Sequence, residues 1–395
     1  MNADHIRIVA VIGAGDMGHG IAEVALLAGY RVFLHDISQV FIDRGTKRID
    51  ESLRKLLAKG KVSQDLYDAI NPGGGFLSSS RRSERLITTM DLGEAARQAD
   101  LVIEAIPEVM DLKKQTFSEL DKSAPAHTML ASNTSTMSIT GIAKATNRPG
   151  KVLGLHYFNP AVLMPTVEVI RGEHTSDETM QAAYDFCLKC GKKPVRVNKD
   201  VPGFIVNRVQ APGGVLLRCI LDEGIAAPEE VDAVMRKLGM PMGPYEVMDY
   251  TGLDINVNSA NYFAETVHPD YAPGRVIPEL AARGDLGKKT GKGILDWSAG
   301  RPAIDTSKTT DEFDPADLLA VTANEATKLL EMDVAGAEDI DKAIVGGSGS
   351  AIGPLTAIQG LDPADLAARL EGLAAKYGKE IFRPTRTIRE GRYKR

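Results

Sequence analysis

The chain has 395 residues, of which 43% are hydrophobic and 25% charged, the composition of a soluble globular protein with room for two or three domains of roughly 100–200 residues each. A formal charge of −6, from 47 basic and 53 acidic residues, excludes a polyanion-binding chain, so no nucleic acid is expected; no apolar run reaches the roughly 18–20 residues of a membrane span. The three cysteines, Cys187, Cys190 and Cys219, are too few for a disulfide framework, and the CxxC of the first two falls in an amphipathic pattern read as one helix turn with no metal or redox role.

The N-terminus passes directly into a strand pattern without a charged-then-apolar leader, so a cytoplasmic location is expected. Residues 6–12 are an apolar run ending at Gly13, the pattern of a buried parallel strand. Residues 17–28 have helical periodicity and stop at Gly29; residues 32–34 are a second strand, ending in His35-Asp36. Ser38 is placed to cap a long amphipathic helix running to about residue 59, and Ser63 a shorter one. Residues 71–80 (NPGGGFLSSS) are a loop by composition. Strands follow at 100–106, 129–132, 152–158, 167–170 and 195–197, alternating with helices near 113–120, 139–145 and 178–189. This alternation predicts an α/β Rossmann-type doubly wound domain over residues 1–198.

The pattern then turns all-helical over residues 199–297, with Gly/Pro breaks. Residues 298–313, rich in Asp, Thr, Ser and Pro, read as a linker. Residues 314–395 repeat the helical segment in truncated form: LDEG at 221 parallels LEMD at 330, EEVDAV at 229 parallels EDIDKA at 338, Gly243-Pro244 parallels Gly353-Pro354, and GLD recurs at 252 and 360. The near-constant offset points to duplication, hence two tandem all-α domains after the Rossmann domain. The basic tail from residue 383 onward reads as part of that second copy.

The glycine motif Gly13-Ala14-Gly15-Asp16-Met17-Gly18 follows a strand and opens a helix, the context a dinucleotide site requires. Gly13 permits the turn, Gly15 lets a pyrophosphate approach, Gly18 lets helix and strand pack, and the helix N-terminus favours phosphate. Asp36, 18 residues beyond Gly18, would accept hydrogen bonds from ribose hydroxyls and repel a 2′-phosphate, so the cofactor expected is NAD.

Oxidising an alcohol with a nicotinamide needs a base, and histidine titrates near neutrality. Of seven histidines, His156 closes the apolar strand VLGLHYF just before Asn159-Pro160, at the strand end where sites lie in open α/β sheets. Glu168, in the apolar run TVEVI, needs a partner; pairing with His156 would fix the imidazole tautomer and stabilise its charged form. His156 alone reads more readily as a satisfied core histidine; Glu168 and the Asn-Pro loop reverse that preference.

ASNTS at 131–135, HYFNP at 156–160, MPTVEVIRG at 164–172, KDVPGFIVNR at 199–208 and GKKTGKG at 287–293 resemble the 3-hydroxyacyl-CoA dehydrogenase family over residues 6–297. The duplicated helical segment and Met164-Pro165 look more like the multifunctional fatty-acid oxidation enzymes, without room for a fused hydratase. The resemblance implies NAD-dependent reversible oxidation of an L-3-hydroxyacyl-CoA to the 3-ketoacyl-CoA, as in beta-oxidation, with an acyl-CoA thioester as substrate. By that resemblance His156 is the base and Glu168 its acidic partner, and Ser135 and Asn159 lie between substrate and nicotinamide. Asn207 is a substrate-side asparagine, Glu108, Lys113 and Lys289 touch NAD, and Ser52 and Lys59 hold the CoA moiety. The bland readings are a helix cap for Ser135, solvated helix positions for Ser52 and Lys59, and a surface lysine for Lys289. Two departures stand out. Leu163 replaces a usual basic residue, and the segment 71–87 is longer than the family's.

The rival readings are a dehydrogenase of a free hydroxy or sugar acid and a non-catalytic NAD- or CoA-binding scaffold. A separate enoyl-CoA hydratase or thiolase is an expected partner. Because the helical domain forms the dimer interface of short family members, a second copy predicts a monomeric pseudo-dimer in place of a homodimer. No metal site is expected.

Overall fold

The computed structural model describes residues 3–71 and 84–394; the expected loop after Asn71, and with it most of the long segment, lies outside them. Two compact units emerge. One comprises residues 1–206 with 333–353, and the other residues 207–332 with 354–395.

The first unit is built on a sheet with strand order β3-β2-β1-β4-β5-β6-β7-β8. In chain order its elements are β1 (Ile8–Ile12), α1 (Gly18–Leu27), β2 (Arg31–His35), α2 (Gln39–Ala58), α3 (Gln64–Ile70), β3 (Leu86–Thr89), α4 (Leu92–Ala96), β4 (Leu101–Glu104), α5 (Met110–Ser123), β5 (Met129–Ser132), α6 (Ile139–Ala143), β6 (Val152–Tyr157), β7 (Thr166–Ile170), α7 (Asp177–Lys189) and β8 (Lys193–Val197). The first six strands in spatial order follow the 3-2-1-4-5-6 arrangement of dinucleotide-binding sheets, all parallel. Every residue of β4, β5, β6 and β7 is buried, which is why these strands read as mostly apolar runs without alternation, each with one or two polar residues.

Two features differ from the sequence reading. The edge strand β3 and helix α4 were not expected; at four and five residues they are too short to carry a period. The second concerns direction: β7 runs antiparallel to β6, with β8 parallel to β7. Only eight residues, 158–165, separate β6 from β7, too few for the crossover that a parallel pair needs.

Helices continue the chain as α8 (Val206–Glu223), α9 (Pro228–Lys237), α10 (Pro244–Thr251), α11 (Leu253–Thr266), α12 (Val276–Ala282), α13 (Pro315–Glu331), α14 (Ala337–Ser348), α15 (Pro354–Ala357), α16 (Pro363–Tyr377) and α17 (Arg386–Arg389). Their order repeats: α8 to α12 and α13 to α17 are each five helices, with a short 3-10 turn before the last in both series. The core of the second unit joins Val215, Ile220, Tyr245 and Phe263 of the first series to Val321, Leu370, Phe382 and Ile388 of the second. In that unit the basic tail is neutralised locally: Arg383 pairs with Glu371 and Glu380, Arg386 with Glu390, and Arg389 with Glu371. Helix α14 departs from its series and packs against β7 and β8 in the first unit.

Candidate active site

The glycine motif occupies the turn from β1 into α1. Gly13 has φ +102, and a Cβ there would meet the Ala105 carbonyl oxygen at 2.5 Å; at Gly18 it would meet the Gly13 carbonyl oxygen at 1.7 Å. Strand, turn and helix are thus closed to any side chain at these two positions. A Cβ at Gly15 would meet nothing within 4 Å, so this side of the loop is open to a ligand. Asp36, just past β2, accepts a hydrogen bond from the Ala14 N–H at 2.8 Å. One carboxylate oxygen therefore holds the loop while the other stays available to a ribose. Asp16 pairs with Arg48 of α2, and Met17 is the residue before α1. The open face at Gly15, the helix N-terminus beneath it and the carboxylate at the end of β2 fit a dinucleotide without a 2′-phosphate.

His156 and Glu168 are register partners across β6 and β7. His156 Nδ1 lies 2.6 Å from Glu168 Oε2, and both side chains are buried. The other carboxylate oxygen accepts the N–H groups of Ile205 and Val206 at 3.0 and 2.9 Å. The turn that aims them contains Gly203 (φ +76) and Phe204 (φ +52), the latter in a left-handed conformation that costs a non-glycine residue about 1–2 kcal/mol. An ionised carboxylate accepting from Nδ1–H leaves Nε2 as the basic nitrogen, and Nε2 is 3.1 Å from the Ser135 hydroxyl. Phe158 and Phe204 wall the imidazole, with ring centroids 4.6 and 5.9 Å away. Asn159 is exposed at the head of the following loop, and its bond to Pro160 is cis.

A second polar chain meets the first at Ser135. Glu104, fully buried at the end of β4, accepts Lys113 Nζ at 2.7 Å, the Ile106 N–H at 2.8 Å and the Ser132 hydroxyl at 2.6 Å. Lys113 is 1% exposed and also pairs with Glu108 at 3.1 Å. Glu108 in turn accepts the Thr134 hydroxyl and the Ser135 N–H at 2.8 and 2.7 Å. Of these, the sequence reading had named Glu108, Lys113 and Ser135, and had missed Glu104, Ser132 and Thr134. The missed signal was a carboxylate in an apolar strand, the same that marked Glu168. Helix α6 is capped by Ser138, whose hydroxyl accepts the Gly141 N–H; Ser135 is not the cap.

The remaining candidates are dispersed. Ser52 is half-buried in α2; its hydroxyl favours the charged form of Glu23 on α1 yet makes no hydrogen bond of good geometry to that carboxylate. Lys59 is exposed at the end of α2. Leu163 is 71% exposed. Asn207 and Lys289 belong to the second unit, where Lys289 pairs with Asp254 at 2.5 Å. Among the described residues, no group of three or more His, Cys, Asp or Glu could hold a metal ion, and no helix is long and apolar enough to cross a membrane.

A glycine-lined nucleotide turn on the same sheet as a paired histidine and carboxylate makes this an NAD-dependent oxidoreductase fold. Comparison with known proteins narrows the class. Residues 8–201 match the 3-hydroxyacyl-CoA dehydrogenase NAD binding domain, and residues 203–297 the C-terminal domain of the same enzymes. The chain belongs to the 3-hydroxyacyl-CoA dehydrogenase family. It is 40% identical to the mouse mitochondrial hydroxyacyl-coenzyme A dehydrogenase over 295 residues, which is 74% of this chain and 91% of that protein. It is also 40% identical to the Escherichia coli 3-hydroxyadipyl-CoA dehydrogenase over 315 residues, 79% of this chain but 63% of that one. The crystal structure of an Escherichia coli 3-hydroxybutyryl-CoA dehydrogenase superposes with a TM-score of 0.87 at 31% identity, covering 98% of both chains.

Proposed function

We propose that the chain catalyses the reversible oxidation of an L-3-hydroxyacyl-CoA to the 3-ketoacyl-CoA. The observation that carries the assignment of roles is the 2.6 Å contact between His156 and Glu168 in a member of this family. His156 Nε2 takes the proton of the 3-hydroxyl group. Glu168, fixed by two backbone N–H groups, stabilises the imidazolium that results. NAD, when held there, would supply the acceptor for the hydride that leaves C3. Ser135 shares a hydrogen bond with Nε2 and orients the reacting hydroxyl; Asn159 and Asn207 are assigned to the substrate on the family resemblance. Asp36 and the 13–18 turn hold the dinucleotide. Lys113, being buried, acts on that site through Glu108, and Lys289 is assigned to the cofactor on the family resemblance alone. Ser52 and Lys59 are assigned to the CoA moiety.

The test is His156→Gln, assayed by reduction of acetoacetyl-CoA with NADH and by NAD binding. Turnover should fall by about 100-fold or more with NAD affinity retained; near-normal turnover overturns the role of His156. Rates with short, medium and long acyl chains, set against a free hydroxy acid, identify the substrate class.

We also propose that the helical region is a tandem duplication and that the chain is a monomeric pseudo-dimer. Supporting this, Gly243 sits against Asp232 of α9 as Gly353 sits against Asp341 of α14, each added Cβ meeting aspartate atoms at 2.2–2.4 Å. A sedimentation mass well above that of one chain would refute the monomer.

A further inference from the structure

Helix α14 is the counterpart of α9 in the second helical series, yet it belongs to the unit that carries His156 and Glu168. It packs against β7 and β8. Near the end of α14, Gly346 and Gly347 approach the site wall with no room for a side chain. A Cβ on Gly346 would lie 1.9 Å from the Thr166 hydroxyl oxygen. Thr166 is the first residue of β7, and Glu168, two residues on, shares its face of the strand. A Cβ on Gly347 would lie 2.9 Å from the Phe158 ring and 2.9 Å from Val206 Cγ2. Phe158 is the aromatic ring beside the His156 imidazole, and Val206 carries one of the N–H groups that hold Glu168. One backbone position therefore touches a neighbour of each half of the pair.

Two adjacent glycines near a helix end cost that helix about 0.5–1 kcal/mol each relative to alanine. What they permit is contact between helix backbone and site wall. At the 109-residue offset, the matching residues of the first series are Lys237 and Leu238, with Leu238 65% exposed. The two copies thus differ where the second approaches His156 and Glu168, and a lysine-leucine pair could not enter that contact.

We infer that the glycine pair at the end of α14 supports the geometry of the His156–Glu168 pair. Gly346 and Gly347 are positioning residues that fix Phe158 and Val206, and through them the His156 ring and the Glu168 carboxylate. The inference rests on the roles proposed above for those two residues.

The experiment compares Gly347→Ala and Gly347→Ser with wild type and with Val345→Ala, a half-exposed position on the same helix. The readouts are kcat, KM for NAD, the pH profile of kcat/KM and the melting temperature. We expect both Gly347 variants to fold, since either residue is a better helix former than glycine. Their kcat should fall by about tenfold or more, the limb of the pH profile governed by the base should move, and KM for NAD should stay within about twofold; Val345→Ala should behave as wild type. A folded Gly347 variant with wild-type kcat and pH profile overturns the inference. So does a kcat that falls only in step with melting temperature while the pH profile is unmoved. His156→Gln in the same assay separates the failures. If it is inactive and the Gly347 variants are normal, only the role of α14 falls; if it is near normal, there is no pair to position and both readings fall.

Discussion

His156 and Glu168 are direct cross-strand partners on β6 and β7, with Nδ1 and Oε2 2.6 Å apart. The antiparallel turn of the sheet creates this relationship. Had β7 followed a crossover helix and run parallel, the pair would need another register. Replacing the carboxylate by an amide keeps the shape but removes the charge that stabilises imidazolium, and lets the amide N–H₂ compete for Nδ1. Glu168→Gln should lower kcat by about 100-fold or more, leaving KM for NAD little changed. A loss confined to KM would show that the carboxylate only shapes the binding surface.

The Glu104–Lys113 pair sits at the other end of the polar chain, with both side chains 1% exposed or less. Removing one partner strands the other charge in the interior. Lys113→Met should destabilise the fold by about 3–5 kcal/mol in urea unfolding. Glu104→Gln combined with Lys113→Met should recover most of that loss, because neither charge is then buried alone. If the single and double variants lose the same amount, the pair is not coupled and the ion pair is not what supports Ser135.

How far the site was legible from the sequence follows from the range over which each residue acts. The 13–18 turn and Asp36 are local, so motif and spacing located them. Glu168 stood out because a carboxylate in an apolar strand demands a partner and His156 was already a candidate. Glu104 obeys the same rule, but its partner Lys113 lies nine residues on, in a helix, and the resemblance had assigned that lysine to NAD and not to a buried carboxylate. The repeated pattern paired α14 with α9 without indicating where α14 goes, since likeness between two segments does not fix which neighbour each covers. The hydrogen bond by which Asp36 holds Ala14 is a tertiary contact of the loop that no spacing encodes.

Glu23 gives the fold a pH dependence. It is fully buried on α1, and burial raises its pKa from 4.5 to about 7 against the opposing effect of the Ser52 hydroxyl. The native state thus holds this proton over a range where the unfolded chain has released it. Its contribution is fully present below about pH 4.5 and is lost as pH rises through about 7. Glu23→Gln should remove this part of the slope and raise stability at pH 8 by on the order of 3 kcal/mol. Asp232, also raised to about 7 by burial, acts in the same sense, so some slope should remain. Urea midpoints at pH 5 and pH 8 measure the difference; an identical slope in Glu23→Gln would mean that the carboxyl is solvated in the native state.

Asp36 links cofactor choice to loop geometry. Its carboxylate accepts the Ala14 N–H at 2.8 Å, and the second oxygen is the group assigned to the ribose. A charge-assisted hydrogen bond contributes about 1.5–3 kcal/mol, so losing the ribose contact alone corresponds to roughly 10- to 100-fold in affinity. Asp36→Ala should therefore raise KM for NAD by about tenfold or more. It should also narrow the preference for NAD over NADP, because the negative charge that repels a 2′-phosphate is gone. Asp36→Asn separates the two effects. Its side-chain oxygen can still accept from Ala14, so the loop is kept, while the repulsion is lost. If Asp36→Asn holds KM for NAD near wild type and admits NADP, charge sets the cofactor preference. If both variants discriminate against NADP as well as wild type does, another feature of the loop excludes the phosphate.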